Sequence, residues 1–442
     1  MSDWRGGVEA GQGVGAGSGS AAEADSRGAE EADSRSALRA DSREAVAADV
    51  GGAAELGSGD AAEAGSGGAV EPDSEGAKAG SRGAVEPDPK GAAGAGEPEA
   101  WPAVSVVMPV LNEERHLAEA VEQVLEQDYP GGFELVLAVG PSKDQTERIA
   151  GEIAAANPRV TVVPNPSGQI ASAMNAAVKA ARHDVITRID GHALLPARYL
   201  RTAVRTLLDT GASDVGGVMA AEGETPFQRA VAWAMTSPAG VGAAANHTGG
   251  QAGPADTVYL GVYRREAIER AGGYDESMLV AEDWELNYRI RAGGGLIWFT
   301  PDLRVTYRPR ASVPALARQH FRYGRWRRVV ARRHPETVNL RYLAAPVAAA
   351  LNTLGLLAGA AGVGGVLAQS GGPVKYLTLG FVIPALYLGG VTAVTVAGAR
   401  DLPAGVRARV PVVLATMHMC WGMGFLTSPR RLARRDNVGH DL

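Results

Sequence analysis

The chain has 442 residues, room for two or three structural units. Its formal net charge of -6 averages an acidic N-terminal stretch with an Arg-rich segment from Arg304 to Arg341, so the sum identifies no partner. The single cysteine, Cys420, excludes an intrachain disulfide and a Cys-based zinc site.

Residues 1–101 read as a low-complexity acidic tail. Ala, Gly, Glu, Asp and Ser dominate, and too little apolar surface is present to offset chain entropy. A degenerate repeat runs through it: EADSRGA from Glu23, EADSRSA from Glu31, RADSREA from Arg39, EPDSEGA from Glu71. Its spacing is too short and irregular for a solenoid. No basic segment followed by an apolar run opens the chain, so a cleaved secretory signal is not expected.

From Val104 the texture changes, and residues 102–311 read as one α/β domain. Strand-like runs at VSVVMP, ELVLAV (Glu134–Val139), RVTVV (Arg159–Val163) and DVITRI (Asp184–Ile189) alternate with helix-like segments. The helices are expected over Asn112–Asp128, Asp144–Ala156 and Ile170–Ala181. β-Branched runs alternating with amphipathic helices predict a largely parallel, buried sheet, with ligands beyond the carboxyl ends of its strands.

Three motifs fall at such ends. PVLNEE (Pro109 to Glu114) can frame a nucleotide base and its ribose hydroxyls. Asn112 also suits a plain helix N-cap. In RIDGH, Asp190 and His192 offer the oxygen and nitrogen that Mn2+ or Mg2+ accepts, or Asp190 simply caps a turn. In AEDWELNYRIR, Glu282, Asp283 and Glu285 open a helix whose Leu286 and Ile290 face inward. Helix capping explains such acids. So does a general base beside an aromatic platform, Trp284, on which a sugar ring can stack.

Residues 312–341 form a basic segment before the apolar runs. Arg318, Arg322, Arg325, Arg327, Arg328, Arg332 and Arg333 suit a helix on anionic lipid head groups. No nucleic-acid-binding motif accompanies them, so nucleic acid is not an expected partner. Residues 342–428 predict two or three transmembrane helices. Tyr342–Ala368 and Tyr376–Ala399 are long enough to span a bilayer, and Val410–Thr427 is marginal at about 18 residues. The positive-inside rule puts the Arg-rich segment, and the catalytic domain with it, in the cytoplasm. Three full spans would export the basic tail, residues 429–442, with its Arg430, Arg431, Arg434 and Arg435. A re-entrant or interfacial Val410–Thr427 removes that conflict.

Taken in order, the motifs resemble glycosyltransferase family 2. The likeness runs from about Val104 to Arg333 and includes Asn165, Gly168, Ala173 and Asn175, then GGYDE (Gly272–Glu276) and QHFRYGRW (Gln319–Trp326). The wording of DTVYLGVYRRE, EDWELNYRIR and IWFTPDLRVTYRPR is most similar to succinoglycan-type bacterial exopolysaccharide enzymes. The resemblance implies a GT-A fold, a mixed, mainly parallel sheet flanked by helices. It implies an inverting, cation-dependent transfer from a nucleotide sugar, expected to be a UDP-sugar, to a glycan or polyprenyl-linked acceptor at the cell membrane. On that reading Asp283 is the base, and Pro109, Asn112, Glu113, Asp144, Arg188 and Asp190 hold the donor. Asp190 and His192 hold Mn2+ or Mg2+. Glu282, Trp284, Gln319, Arg325 and Trp326 face the acceptor.

Two departures stand out. Val139 and Gly140 occupy the place of the family's usual base-contacting acids, and His192 replaces the second Asp of the metal motif. Other classes carry less. A metal-dependent nucleotidyltransferase would need a Gly-rich basic loop after the first strand, and a dinucleotide oxidoreductase a G-x-G-x-x-G there. A catalytically weakened scaffold subunit of a polysaccharide-assembly complex would have little reason to keep both Asp190 and Asp283.

Overall fold

The computed structural model describes residue 98 and residues 100–433, apart from residues 243, 370 and 371. The repeat tail through residue 97, and Arg434 and Arg435, lie outside the described residues.

The strands are β1 (Val104–Val110), β2 (Phe133–Val139), β3 (Val160–Pro164), β4 (Val185–Arg188), β5 (Asp214–Ala221), β6 (Gly253–Pro254), β7 (Tyr259–Arg264) and β8 (Ile297–Tyr307). They form one sheet in the order β3-β2-β1-β4-β7-β5-β8-β6. β3, β2, β1 and β4 run parallel, β7 is antiparallel to both β4 and β5, and β5 pairs parallel with β8. This is the mixed GT-A sheet. β1, VSVVMPV, is buried at every position, as a central strand covered on both faces must be. β3 is an edge strand, which leaves Val162 38% exposed, so its burial is less than its composition suggests.

Between these strands lie α1 (Leu117–Leu125), α2 (Thr146–Ala156), α3 (Ile170–Ala180), α4 (Tyr199–Thr210) and α5 (Pro226–Met235). Helix α1 buries Leu117, Ala120, Val121 and Val124, a 3.6-residue stripe. It starts five residues later than the sequence suggests. Asn112 takes a left-handed φ of 56°, and the amides of Asn112, Glu113 and Glu114 bond to the 142–146 loop instead of starting a helix. The β5–β8 half carries weaker sequence signals. β5 contains Gly216 and Gly217, poor strand formers. A Cβ on Gly217 would sit 1.9 Å from the Leu303 carbonyl, so glycine is what lets β8 close on β5.

Five further helices matter below: α6 (Glu282–Ala292), α7 (Val313–Arg333), α8 (Leu340–Leu367), α9 (Val382–Gly398) and α10 (Val410–Thr427). Three segments, Leu340–Leu367, Pro373–Gly398 and Ala404–Thr427, are long and apolar enough to cross a membrane. Helix α10 also lies along α7. A Cβ on Gly324 would sit 1.9 Å from Trp421 O, and one on Gly424 2.0 Å from Phe321 O. Farther along, the Ser428 hydroxyl donates to Arg325 O, and Arg332 donates to Ser428 O and Pro429 O.

Candidate active site

The parallel strands β1, β2 and β4 end at one edge of the sheet, and their following loops meet there. The loop after β1 is stitched to the loop after β2. Glu113 N donates to Thr146 Oγ1 at 2.7 Å, Lys143 N to Asn112 Oδ1 at 2.7 Å, and Gln145 N to Glu114 Oε2 at 3.0 Å. Asp144 accepts from the Glu114 amide and from Thr146, and these bonds outweigh burial to hold its carboxyl below the usual range. Asn112, Glu113 and Asp144 thus meet on one rim, beside the strand ends that carry Pro109, Val139 and Gly140. Asn175, from α3, clamps the GGYDE turn, accepting from Tyr274 N at 2.8 Å and donating to Tyr274 O at 2.9 Å.

Arg188, the last residue of β4, is the centre of the site. It is 1% exposed and gathers three carboxylates. Its Nε lies 3.1 Å from Asp190 Oδ1, and its Nη1 lies 3.2 Å from Glu282 Oε1 and contacts Asp283 Oδ1. Asp190 and Asp283, distant in sequence, therefore share one buried cluster. Asp283 stands in the first turn of α6, just after Ala281, whose φ of 65° is left-handed. That conformation is uncommon for a residue with a Cβ and costs about 1–2 kcal/mol. It turns the chain sharply into the acids.

The charges do not balance. One guanidinium faces three carboxylates, and burial penalises each anion. Burial raises Asp283 to about 8, Arg188 opposes the rise, and Glu282 and Asp190 add to it. Glu282 is raised as well, again chiefly by burial. Asp190 Oδ2 and Glu282 Oε2 have no hydrogen-bond partner. Two orphaned carboxylate oxygens, on acids whose ionised forms burial disfavours, fit a divalent cation that would stabilise those ionised forms. Among the described residues, no group of three or more His, Cys, Asp or Glu stands ready to hold one. A phosphorylated ligand would have to supply the rest. His192 is turned toward the rim formed by the loops after β1 and β2, with Nδ1 2.9 Å from Glu113 Oε1. Burial pushes its pKa down, but the Glu113 bond and charge prevail and raise it.

The other expected acceptor residues sit at different depths. Trp284 is 3% exposed, stacked on Tyr288 at 5.9 Å, with the Arg327 guanidinium 4.5 Å over its ring. Trp326 is buried in the same apolar cluster as Trp284. Gln319 is buried and donates from Nε2 to the Tyr307 and Tyr323 hydroxyls. Arg325 is half-buried, its guanidinium 5.9 Å from the Phe321 ring centroid. Several arginines of α7 serve the protein itself: Arg333 pairs with Asp275 at 3.1 Å, and Arg322 donates to Leu279 O. Sequence reasoning missed Asp214, the first residue of β5. It is fully buried, and desolvation with the nearby Asp283 charge pushes it well above the usual carboxylate range. A lone acid opening a glycine-bearing strand gave no signal.

Comparison with known proteins places the chain in a family. The model of the glycosyl transferase family 2 matches residues 105–272. The succinoglycan biosynthesis protein ExoA of Rhizobium meliloti is 36% identical over 254 residues, covering 57% of this chain and 77% of that protein. A Methanococcus voltae enzyme, named as a dolichyl N-acetyl-α-D-glucosaminyl phosphate 3-β-D-2,3-diacetamido-2,3-dideoxy-β-D-glucuronosyltransferase, is 22% identical over 50% of this chain and 71% of its own length. A Pyrobaculum calidifontis mannosyltransferase solved with GDP-Man and Mn2+ aligns over 75% of this chain and 89% of that one, at 22% identity and a TM-score of 0.49. On the family match and the extent of the ExoA likeness, the chain belongs to glycosyltransferase family 2.

Proposed function

We propose that the protein is an inverting, cation-dependent glycosyltransferase of extracellular polysaccharide synthesis, moving a sugar from a UDP-sugar to a hydroxyl of a lipid-linked glycan. The observation that carries this reading is the buried Asp190–Arg188–Asp283 cluster beside the stitched donor rim. The printed names of the R. meliloti and M. voltae relatives, one of succinoglycan biosynthesis and one acting on a dolichyl phosphate sugar, support the polysaccharide setting and the lipid-linked acceptor.

The chemistry follows from the charges. An alcohol is a poor nucleophile near neutral pH, so its proton must leave as its oxygen attacks. Asp283, with its pKa raised by burial to about 8, is suited to accept that proton once ionised. The acceptor oxygen bonds to the anomeric carbon from one face while the bond to the diphosphate breaks on the other, which inverts the centre. Arg188 stabilises charge on the departing diphosphate. Mn2+ or Mg2+ held by Asp190, with His192 nearby, would neutralise that charge further. Pro109, Asn112, Glu113 and Asp144 hold the nucleoside. Glu282, Trp284, Gln319, Arg325 and Trp326 shape the acceptor side.

The catalytic domain faces the cytoplasm. Helix α10 lies in the membrane interface and does not cross, because its partner α7 is rich in arginine and the two run side by side from His320 to Arg332. The test is a screen of nucleotide sugars for Mn2+-dependent hydrolysis and transfer by the full chain. Asp283→Asn is expected to lower transfer by about 10^2–10^4-fold with donor affinity retained. Near-normal transfer by that variant would remove Asp283 as the base.

A further inference from the structure

Asp214 is a buried acid with no part in the chemistry described above. It opens β5, between Tyr263 of β7 and Ile297 of β8. It is fully buried, and neither of its carboxyl oxygens has a hydrogen-bond partner. Gly261 makes the room for it, because a Cβ there would lie 2.4 Å from Asp214 Oδ1 and 2.4 Å from Tyr263 Cζ. The titratable groups around it are Tyr199 of α4, Tyr263 of β7, Tyr274 of the GGYDE turn and Asp283 of α6. Each of these adds negative charge when it ionises. Arg188 is engaged by Asp190, Glu282 and Asp283, and among the described residues no cation pairs with Asp214. A buried carboxyl in such surroundings is less costly as the neutral acid.

The side chain within its reach is that of Asn287 on α6. Asn287 is fully buried too. Its Nδ2 donates to Thr257 Oγ1 at 3.1 Å, while its Oδ1 has no partner. An ionised Asp214 only accepts, so it leaves Asn287 Oδ1 unsatisfied. A protonated Asp214 carries one O–H donor and can serve it. An apolar site that keeps a carboxylic acid neutral turns it into such a donor. Asn287 stands four residues after Asp283, so the two share one face of α6 a turn apart. Asp283 lies in the first turn, just after the left-handed Ala281, where backbone N–H groups have no intrahelical partners. The second turn, bolted to the sheet at Asn287, is what steadies the first.

We propose that Asp214 is a positioning residue for the transfer: as a carboxylic acid it donates to Asn287 Oδ1, and this bond fixes the face of α6 that presents Asp283 to Arg188. The inference rests on the transferase reading with Asp283 as its base, and it gives Asp214 no contact with either substrate. Its test uses the full chain in detergent and the nucleotide sugar that the donor screen selects. Asp214→Ala is expected to lower kcat about 10- to 100-fold, the scale of a base displaced by about 1 Å, with the donor KM changed less than about twofold. Asp214→Asn keeps an N–H for Asn287 Oδ1 and should recover most of that loss. In an Asn287→Ala background, Asp214→Ala should cost less than about twofold in kcat, because the bond it breaks is already gone. A merely structural Asp214 would lower the apparent Tm and leave kcat per folded chain near that of the wild type. That result, additive losses in the double variant, or no recovery by Asp214→Asn would overturn the role. Should Asp214→Ala fail to fold, the infrared spectrum decides. At about pH 9, above the Asp283 value of about 8, the wild type should show a carboxylic acid C=O band that Asp214→Asn lacks. Asn287→Ala should move that band to higher frequency, and a missing or unmoved band refutes the bond. A wild type that turns over no donor but keeps the band and its shift discards the transferase and keeps the bond, and turnover with an unmoved band does the reverse.

Discussion

Arg188 sets the chemistry of the residues around it. Its positive charge opposes the burial that raises Asp283, so removing it must raise Asp283 further. A base works only when ionised. Transfer should therefore climb as pH rises through the Asp283 value, and Arg188→Gln should move that limb upward by on the order of one pH unit or more, besides lowering the maximum. A pH profile of kcat/KM for both proteins is the measurement, and an unmoved limb would detach Asp283 from Arg188. The sequence made Asp190 and Asp283 legible, because each stands in a motif whose neighbours also match. It read Arg188 only as a phosphate contact. That one guanidinium joins Asp190, Glu282 and Asp283 depends on residues far apart in sequence meeting at one strand end, which no spacing reveals. Asp214 stayed hidden for a related reason, since its strangeness lies in its burial and not in its type.

At the scale of elements, the pairing of α7 with α10 is made by missing side chains. Gly324 and Gly424 let each backbone approach the other's carbonyls. A leucine at Gly424 would drive atoms into Phe321 O and force the helices apart. Overpacking costs about 1–3 kcal/mol where the surroundings can yield, and backbone yields less readily than side chain. Gly424→Leu should thus lower the apparent Tm of the full chain by several degrees in detergent. Gly364→Leu, in α8 with open space around it, serves as the control. Matching Tm values for the two variants would mean the α7–α10 contact bears no load. The β1–β4 half was legible from alternating β-branched runs and amphipathic helices. α7 was legible as a helix but not as a packed one. Its arginines read as a face on lipid head groups, yet Arg327 lies against Trp284 and Tyr342, where stacking on aromatic rings replaces hydration.

For the whole molecule, the arrangement of α7 and α10 bears on topology. Length and composition alone allow three crossings. Helix α7 carries arginines along its length, and burying them in hydrocarbon with α10 would be costly. With α10 in the interface, Leu340–Leu367 and Pro373–Gly398 would make a hairpin through the bilayer and return the residues after Gly398 to the catalytic side. A reporter fused after Leu442 should accordingly register cytoplasmic, the side the positive-inside rule gives to Arg430 and Arg431. A periplasmic or extracellular signal would restore three crossings.

The contact series Asp283–Trp284–Arg327–Tyr342 has a practical corollary for anyone wishing to prepare a soluble enzyme. Ending the chain before Leu340 removes Tyr342, strips Arg327 of one of its two aromatic neighbours, and takes Leu432 from the cluster that holds Trp284 and Trp326. Helix α6, which carries Asp283 and Trp284, would then lose part of its packing. The C-terminal segment is thus part of the packing behind α6, and the part worth purifying is the entire chain.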